Sequence, residues 1–436
     1  MNAAVNSTKA RSLRRRPGII AAGALLAVLA AGAAWYATAT RLIAVAPESS
    51  VPLTPALVER GAYLARAGNC ATCHSTPGGT PYAGGEGIAT PFGTVYGANL
   101  TPDEDTGLGR WSAGDFWRAL HHGQSRDGRL LYPAFPYPDY TRVTREDSDA
   151  LFAFLQSLPP TAQAPRAHEL RYPYSTQAAL VGWRTLFFSP GEYRADPQQS
   201  AEWNRGAYLV QGLGHCMACH APRNAFGATA SEPDFSGGQI PMQGWYAPSL
   251  SAPGEAGVQD WPLEDVVRLL RDGHSERGST LGPMADVVAG STQHLNEADL
   301  RAMGHYLQSL PEVPLTVQAT PRAEPEVLAL GQRLYEDSCA QCHGKAGVSD
   351  KVGFPSLAGN RSVTMPSSAN LVQVVLHGGY APSTAGNPAP YGMPPFAQAM
   401  TDAEIAAVVS YVRSAWGHKA SRVLPLDVQR ARGPAR

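Results

Sequence analysis

The sequence predicts an all-α chain in which one apolar amino-terminal helix precedes three helical repeats in tandem. Three observations predict it. The same order of an opening helix, a middle helix ended by glycine and a capped closing helix can be read three times. Glycine (44) and proline (37) are abundant, which suits short helices joined by irregular connections. An almost uncharged stretch from Gly18 to Ala39, rich in alanine and leucine, follows the basic residues Lys9, Arg11, Arg14, Arg15 and Arg16.

That amino-terminal stretch has the form of a targeting segment. Basic residues stay on the cytoplasmic side, so everything after Arg41 is expected to be translocated. Ala37-Thr38-Ala39 and Ala44-Val45-Ala46 offer small-x-small cleavage sites, which would make the segment a removable signal. The apolar run nevertheless approaches the ~20 residues that span a bilayer, so a retained inner-membrane anchor is the preferred expectation. Lysine plus arginine (35) balance aspartate plus glutamate (36), which leaves no basic surplus for nucleic acid.

The opening helices carry Arg60-Gly61-Ala62-Tyr63-Leu64, Arg205-Gly206-Ala207-Tyr208-Leu209 and Gly331-Gln332-Arg333-Leu334-Tyr335. Glycine inside a helix costs ~1 kcal/mol relative to alanine, so its recurrence predicts a place where another helix approaches closely. The middle helices run from Trp111 toward Gly123, from Trp261 toward Gly273 and from Asn370 toward Gly378, each glycine being a helix stop. The closing helices begin at Thr144, Asn296 and Thr401. Thr144 with Asp147, and Thr401 with Glu404, stand at capping-box spacing.

All six cysteines lie in Cys70-Ala71-Thr72-Cys73-His74, Cys216-Met217-Ala218-Cys219-His220 and Cys339-Ala340-Gln341-Cys342-His343, one just after each opening helix. Cys-x-x-Cys-His is the attachment pattern of c-type haem, two thioether links with the iron's proximal histidine beside them. Zinc sites and redox cysteine pairs do not explain a histidine directly after the second cysteine in three copies. Three covalently bound haem c groups are therefore expected, with His74, His220 and His343 as proximal iron ligands, and no cysteine is left for a disulfide.

A neutral thioether on the distal side favours reduced iron and raises its potential. Gly282-Pro283-Met284 lies in a glycine-rich stretch before the second closing helix, and Tyr391-Gly392-Met393 holds the same place in the third repeat. Met284 and Met393 are the expected distal ligands. Met303 and Met400, in or at the start of closing helices, read as core filling. In the first repeat Pro133 aligns with Pro283, which puts Ala134 and Phe135 where the thioether belongs, and no methionine occurs between Met1 and Met217. Its distal ligand is one of His121, His122 and His168, a group borrowed from elsewhere, or an open position.

The repeats resemble class I cytochrome c domains, in which an amino-terminal helix crosses a carboxy-terminal one. On that resemblance the chain divides into a signal or anchor segment (1–46), three cytochrome c domains (47–196, 197–321 and 322–419) and a tail (420–436). Within the long connection from Pro159 to Ser200, Leu180 to Phe188 is expected as a helix packed between haem domains, with docking onto a membrane or partner subunit as the alternative.

Five blocks carry a closer resemblance: Arg60-Gly61-Ala62-Tyr63-Leu64, Thr90-Pro91-Phe92-Gly93-Thr94-Val95-Tyr96, Asn99-Leu100-Thr101-Pro102-Asp103, Leu131-Tyr132-Pro133-Ala134-Phe135-Pro136-Tyr137 and Ser200-Ala201-Glu202-Trp203-Asn204-Arg205-Gly206. With them the chain resembles the triheme cytochrome c subunit of bacterial membrane-bound dehydrogenases. The resemblance implies a periplasm-facing relay from a separate catalytic subunit, of molybdopterin, PQQ or flavin type, to ubiquinone or a terminal oxidase. Many such subunits have methionine at the position of Phe135. No catalytic residue is expected, because neither a nucleotide-binding glycine loop nor a triad-like arrangement is present. A peroxidase-like haem enzyme and a mainly structural anchor are the rival readings.

Overall fold

The computed structural model describes residues 17–45, 51–230, 232–314, 321–349 and 353–433. The basic residues Lys9, Arg11, Arg14, Arg15 and Arg16, together with Ala46 and the expected domain start at 47, lie outside them.

One crossed helix pair stands in each repeat. Pro55–Ala67 crosses Arg145–Gln156, Ala201–Tyr208 crosses Glu297–Gln308, and Pro325–Ser338 crosses Asp402–Ser414. The recurring glycine marks each crossing. A Cβ at Gly61 would lie 1.9 Å from the Ala150 carbonyl oxygen, one at Gly206 1.9 Å from that of Ala302, and one at Gly331 2.2 Å from that of Ala407. Only a hydrogen side chain lets the backbones meet so closely.

The middle helices Ala113–His122, Leu263–Asp272 and Ala369–His377 stop at Gly123, Gly273 and Gly378, whose φ values are 58°, 75° and 65°. Glycine takes this left-handed region without a Cβ clash and so ends each helix. The closing helices are capped by Thr144, Asn296 and Thr401, whose side chains accept from the N–H groups of Asp147, Asp299 and Glu404. The full box forms at Thr401 and Glu404. At Thr144 only half forms, because the Asp147 carboxylate takes the Arg60 guanidinium instead, Nε to Oδ1 at 2.8 Å. Asp299 accepts from Arg205 in the same way, at 2.8 and 2.7 Å.

Short strands modify the expected all-α class. Gly87–Thr90, Gly93–Tyr96 and Glu169–Leu170 form a small antiparallel sheet in that order, and Gly238–Gln239 with Tyr246–Ala247 and Gly379–Tyr380 with Gly392–Met393 form two-stranded pairs.

The first two repeats share one hydrophobic core, in which Leu64 and Leu151 of the first meet Leu209, Leu300 and Tyr306 of the second. The third has its own, around Tyr335, Leu376 and Ile405. A buried leucine contributes roughly 1.5–3 kcal/mol, so sharing these side chains binds the first pair firmly. Polar contacts hold the third against the second: Asn370 Nδ2 donates to the Tyr246 carbonyl (2.7 Å), Tyr246 N donates back to Asn370 Oδ1 (2.8 Å), and Arg361 pairs with Asp260 at 2.6 Å.

The apolar helix Pro17–Ala39 contains one stretch, Ala21–Ala39, long and apolar enough to cross a membrane, and none of it is buried. Near its end Ala39 packs against Leu180 and Val181 of the helix Gln177–Phe187. The same helix reaches the second repeat, where Trp183 Nε1 donates to the Phe226 carbonyl (3.0 Å) and the Phe187 and Phe226 rings stack with centroids 5.9 Å apart. The helix expected within Leu180 to Phe188 is thus present and bridges two repeats.

Candidate haem-binding sites

Each Cys-x-x-Cys-His segment coils into a short helical turn: Cys70–His74, Met217–His220 and Ala340–His343. Asn69 and His215 enter the first two turns with left-handed φ values of 50° and 37°. The motif histidines repeat one arrangement. Nδ1 of His74 lies 2.7 Å from the Ala98 carbonyl, that of His220 2.7 Å from the Pro248 carbonyl, and that of His343 3.0 Å from the Pro355 carbonyl. A carbonyl oxygen can only accept, so Nδ1 carries the proton and Nε2 keeps a lone pair for a metal. Burial lowers the pKa of all three imidazoles, against the opposing effect of the carbonyl partner, and favours the neutral form that ligates.

The sulfurs behave consistently with thioether attachment. Burial pushes the Cys70 and Cys216 thiols up to about 12 and that of Cys339 to about 11. A reactive redox pair has the opposite shift, toward thiolate. Among the described residues, no group of three or more His, Cys, Asp or Glu side chains is placed to hold a bare ion.

A cavity of ≈ 2060 Å³ is lined by Cys70, Cys73 and His74 of the first motif and by Met217, Ala218 and Cys219 of the second. A single small-molecule site usually spans ~300–1,000 Å³, so this space is ample for one such group beside His74, while His220 and Cys216 do not line it. Leu100, Phe116 and Leu151 give it apolar walls, and Arg126, Arg142 and Arg223 supply cations at its edge. Paired half-buried thiols, a neutral imidazole with Nε2 free, apolar walls and guanidinium groups fit haem c, a flat apolar macrocycle bearing carboxylates.

The distal candidates are placed differently in each repeat. Phe135 stands in the wall of the cavity that His74 lines, beside Pro133 and Ala134. His168 also lines that cavity, but its Nδ1 accepts from Tyr96 N at 3.2 Å, which puts the ring proton on Nε2 and leaves no free lone pair. His121 is stacked on Trp117 with ring centroids 4.4 Å apart, and its Nδ1 is 3.4 Å from the Thr141 hydroxyl; His122 turns edge-on to it. Neither is in the cavity lining. Met284 is half-buried in the first turn of the helix Pro283–Gly290, where the sequence suggested loop; Gly282, at φ 56°, turns the chain into it beneath the Trp245 ring. Met393 is half-buried on the short strand paired with Gly379–Tyr380. Met303 and Met400 are core residues, 4 % and 9 % exposed.

One residue has no signal in the sequence. Asp139, in the turn Tyr137–Tyr140, lines the cavity, and its Oδ1 has no hydrogen-bond partner. Within Tyr-Pro-Asp-Tyr an aspartate reads as ordinary turn chemistry.

The family model for cytochrome c matches residues 58–159 and 328–416. The chain is 41 % identical over 397 residues to one component of the nicotinate dehydrogenase of Pseudomonas putida, covering 90 % of this chain but only 33 % of that protein. It is 39 % identical over 396 residues to the cytochrome c subunit of the quinone alcohol dehydrogenase of Gluconacetobacter polyoxogenes, covering 86 % of this chain and 84 % of the relative. To the gluconate 2-dehydrogenase cytochrome c subunit of Pantoea cypripedii it is 38 % identical, covering 84 % and 87 %. These likenesses favour neither a peroxidase nor a bare anchor, and cytochrome c domains carry covalently bound haem c. The chain belongs to the family of dehydrogenase cytochrome c subunits, electron-transfer components rather than catalytic ones.

Proposed function

We propose that this chain carries three haem c groups in three tandem cytochrome c domains and relays electrons from a separate catalytic dehydrogenase subunit to ubiquinone or a terminal oxidase. Haem, when bound, supplies reversible one-electron transfer. The observation that carries the reading is the threefold repetition of a half-buried histidine whose Nδ1 meets a backbone carbonyl, directly after a cysteine pair. Cys70 with Cys73, Cys216 with Cys219 and Cys339 with Cys342 would hold the groups, and His74, His220 and His343 would ligate iron. Met284 and Met393 complete the second and third sites.

Cys219 of the second motif lines the cavity that holds Cys70, Cys73 and His74, and this supports the first two haems as adjacent stations. The polar seam with the third repeat supports that haem as a separately mounted terminus. The exposed helix Ala21–Ala39 would anchor the chain in the inner membrane with the haem domains on the periplasmic side. The donor would be a catalytic subunit with a molybdopterin, PQQ or flavin cofactor.

A haem-to-protein ratio from the pyridine haemochrome spectrum of the purified full chain tests the count, with three expected and two refuting it. Substrate-driven reduction of every haem in the isolated complex tests the relay; haems that stay oxidised while substrate is consumed would refute it.

A further inference from the structure

Electron transfer alone gives no reason for a buried carboxyl group beside the first two haem motifs. Asp139 is 5 % exposed and lines the cavity that His74 and Cys219 also line, and its buried Oδ1 is without a hydrogen-bond partner. Its charge reaches the sulfurs of Cys216 and Cys219 on one side. On the other lies Tyr140, whose hydroxyl donates to the Gly68 carbonyl (3.1 Å) and feels Asp139 as well as Cys70 and Cys73. The carboxyl therefore stands between the two attachment turns.

The groups acting on it come from three elements. Arg142 follows it on its own segment and Arg223 follows the second motif; both favour the carboxylate. Tyr140 and the four motif sulfurs carry no charge once thioethers form, and the His215 ring meets Tyr140 edge-on at 5.5 Å. Burial opposes the two cations and is the larger effect, raising the carboxyl to about 7. One further charge nearby decides its state, because charges interact strongly where water is excluded.

We propose that Asp139 is a proton-coupling residue shared by the first two haem sites, taking up one proton from solvent when a neighbouring iron gains one electron and releasing it when that electron leaves. The inference rests on the reading that both motifs carry haem. The step balances: ferric iron becomes ferrous with an electron from the catalytic subunit, and the carboxylate becomes a carboxylic acid with a proton from water. No other bond changes.

The test is a spectroelectrochemical titration of the haem-loaded full chain in detergent on both sides of neutrality, with haem content measured alongside. The midpoint potential of at least one haem is expected to fall with rising pH, with a limit of about 59 mV per unit for one proton per electron. The redox-difference infrared spectrum should gain a protonated-carboxyl band on reduction that shifts in D2O. Asp139→Asn should remove both. Should that variant fail to accumulate, Arg223→Gln is expected to move the sloping region to higher pH, because it removes a cation that favours the carboxylate. Potentials independent of pH with all haems present, or a slope and band that survive Asp139→Asn, would overturn the inference. A missing haem at either motif would overturn the relay reading instead.

Discussion

The Tyr63 hydroxyl donates to Asp299 Oδ2 across 2.6 Å, although the two residues are 236 positions apart. The relation is reciprocal, since the Tyr208 hydroxyl donates to Asp147 Oδ2 at the same 2.6 Å. Each aspartate thus takes an arginine from its own repeat and a tyrosine from the other, and the two repeats clasp with pseudo-twofold symmetry. When the crossing glycines are aligned, Leu330 and Arg333 occupy the arginine and tyrosine positions of the third repeat. It lacks the side chains for the clasp and does not share the core.

The clasp makes stability sensitive to acid. Burial works to raise the Asp299 carboxyl, but hydrogen bonds from Arg205 and Tyr63 outweigh it and hold the group below the ordinary aspartate value. A carboxyl depressed in the folded state contributes stability that is fully present above the unfolded value of about 3.9 and lost as pH falls through the lower folded value. Denaturant unfolding over a pH series should show this acid limb. Asp299→Asn should flatten it and cost about 1–3 kcal/mol at neutral pH, the range for breaking hydrogen bonds to a buried charged group.

Gly331→Ala places a methyl group against the Ala407 carbonyl, where its Cβ would lie at 2.2 Å. Forcing the crossing open should cost about 1–3 kcal/mol. Because the third repeat has a core of its own, calorimetry should register the loss in one transition and leave that of the first pair in place. Gly61→Ala should instead lower the transition of the first two repeats together.

Phe135→Met offers a thioether in the cavity wall that His74 lines. Potentiometry should find one haem midpoint raised and the other two nearly unchanged. An unaltered set of three midpoints would place the distal side of the first haem elsewhere.

Met284→Leu and Met393→Leu change volume little, so their folding cost should stay below about 1.5 kcal/mol. Each should remove one high-potential haem from the redox titration and add a high-spin iron signal in electron paramagnetic resonance. The double variant should lose both.

The helices were legible because their signals are local. Glycine at a crossing, glycine at a stop and threonine or asparagine at a cap each act within a few residues, as Gly61, Gly123 and Thr144 illustrate. The Cys-x-x-Cys-His segments and their helical turns were legible for the same reason. The cap aspartates were harder to read: Asp147 and Asp299 stand at capping positions, and nothing nearby indicates that their carboxylates serve distant partners. Met284 reads as loop beside Gly282 and Pro283, yet proline at the first helical position is compatible with a helix, and the chain turns into one. The burial of Asp139 with an unpartnered oxygen depends on segments distant in sequence, and Tyr-Pro-Asp-Tyr alone does not indicate it.

The reciprocal clasp also sets a schedule for biogenesis. Asp299 is made 236 residues after Tyr63, which at ribosomal rates of about 5–20 residues per second is a delay of roughly 12–47 s. Throughout that interval the newborn first repeat has the apolar side of Leu64 and Leu151 uncovered and its Cys-x-x-Cys-His loop not yet enclosed by its sibling. The interval exposes the apolar side of the nascent first repeat to aggregation until the second repeat covers it.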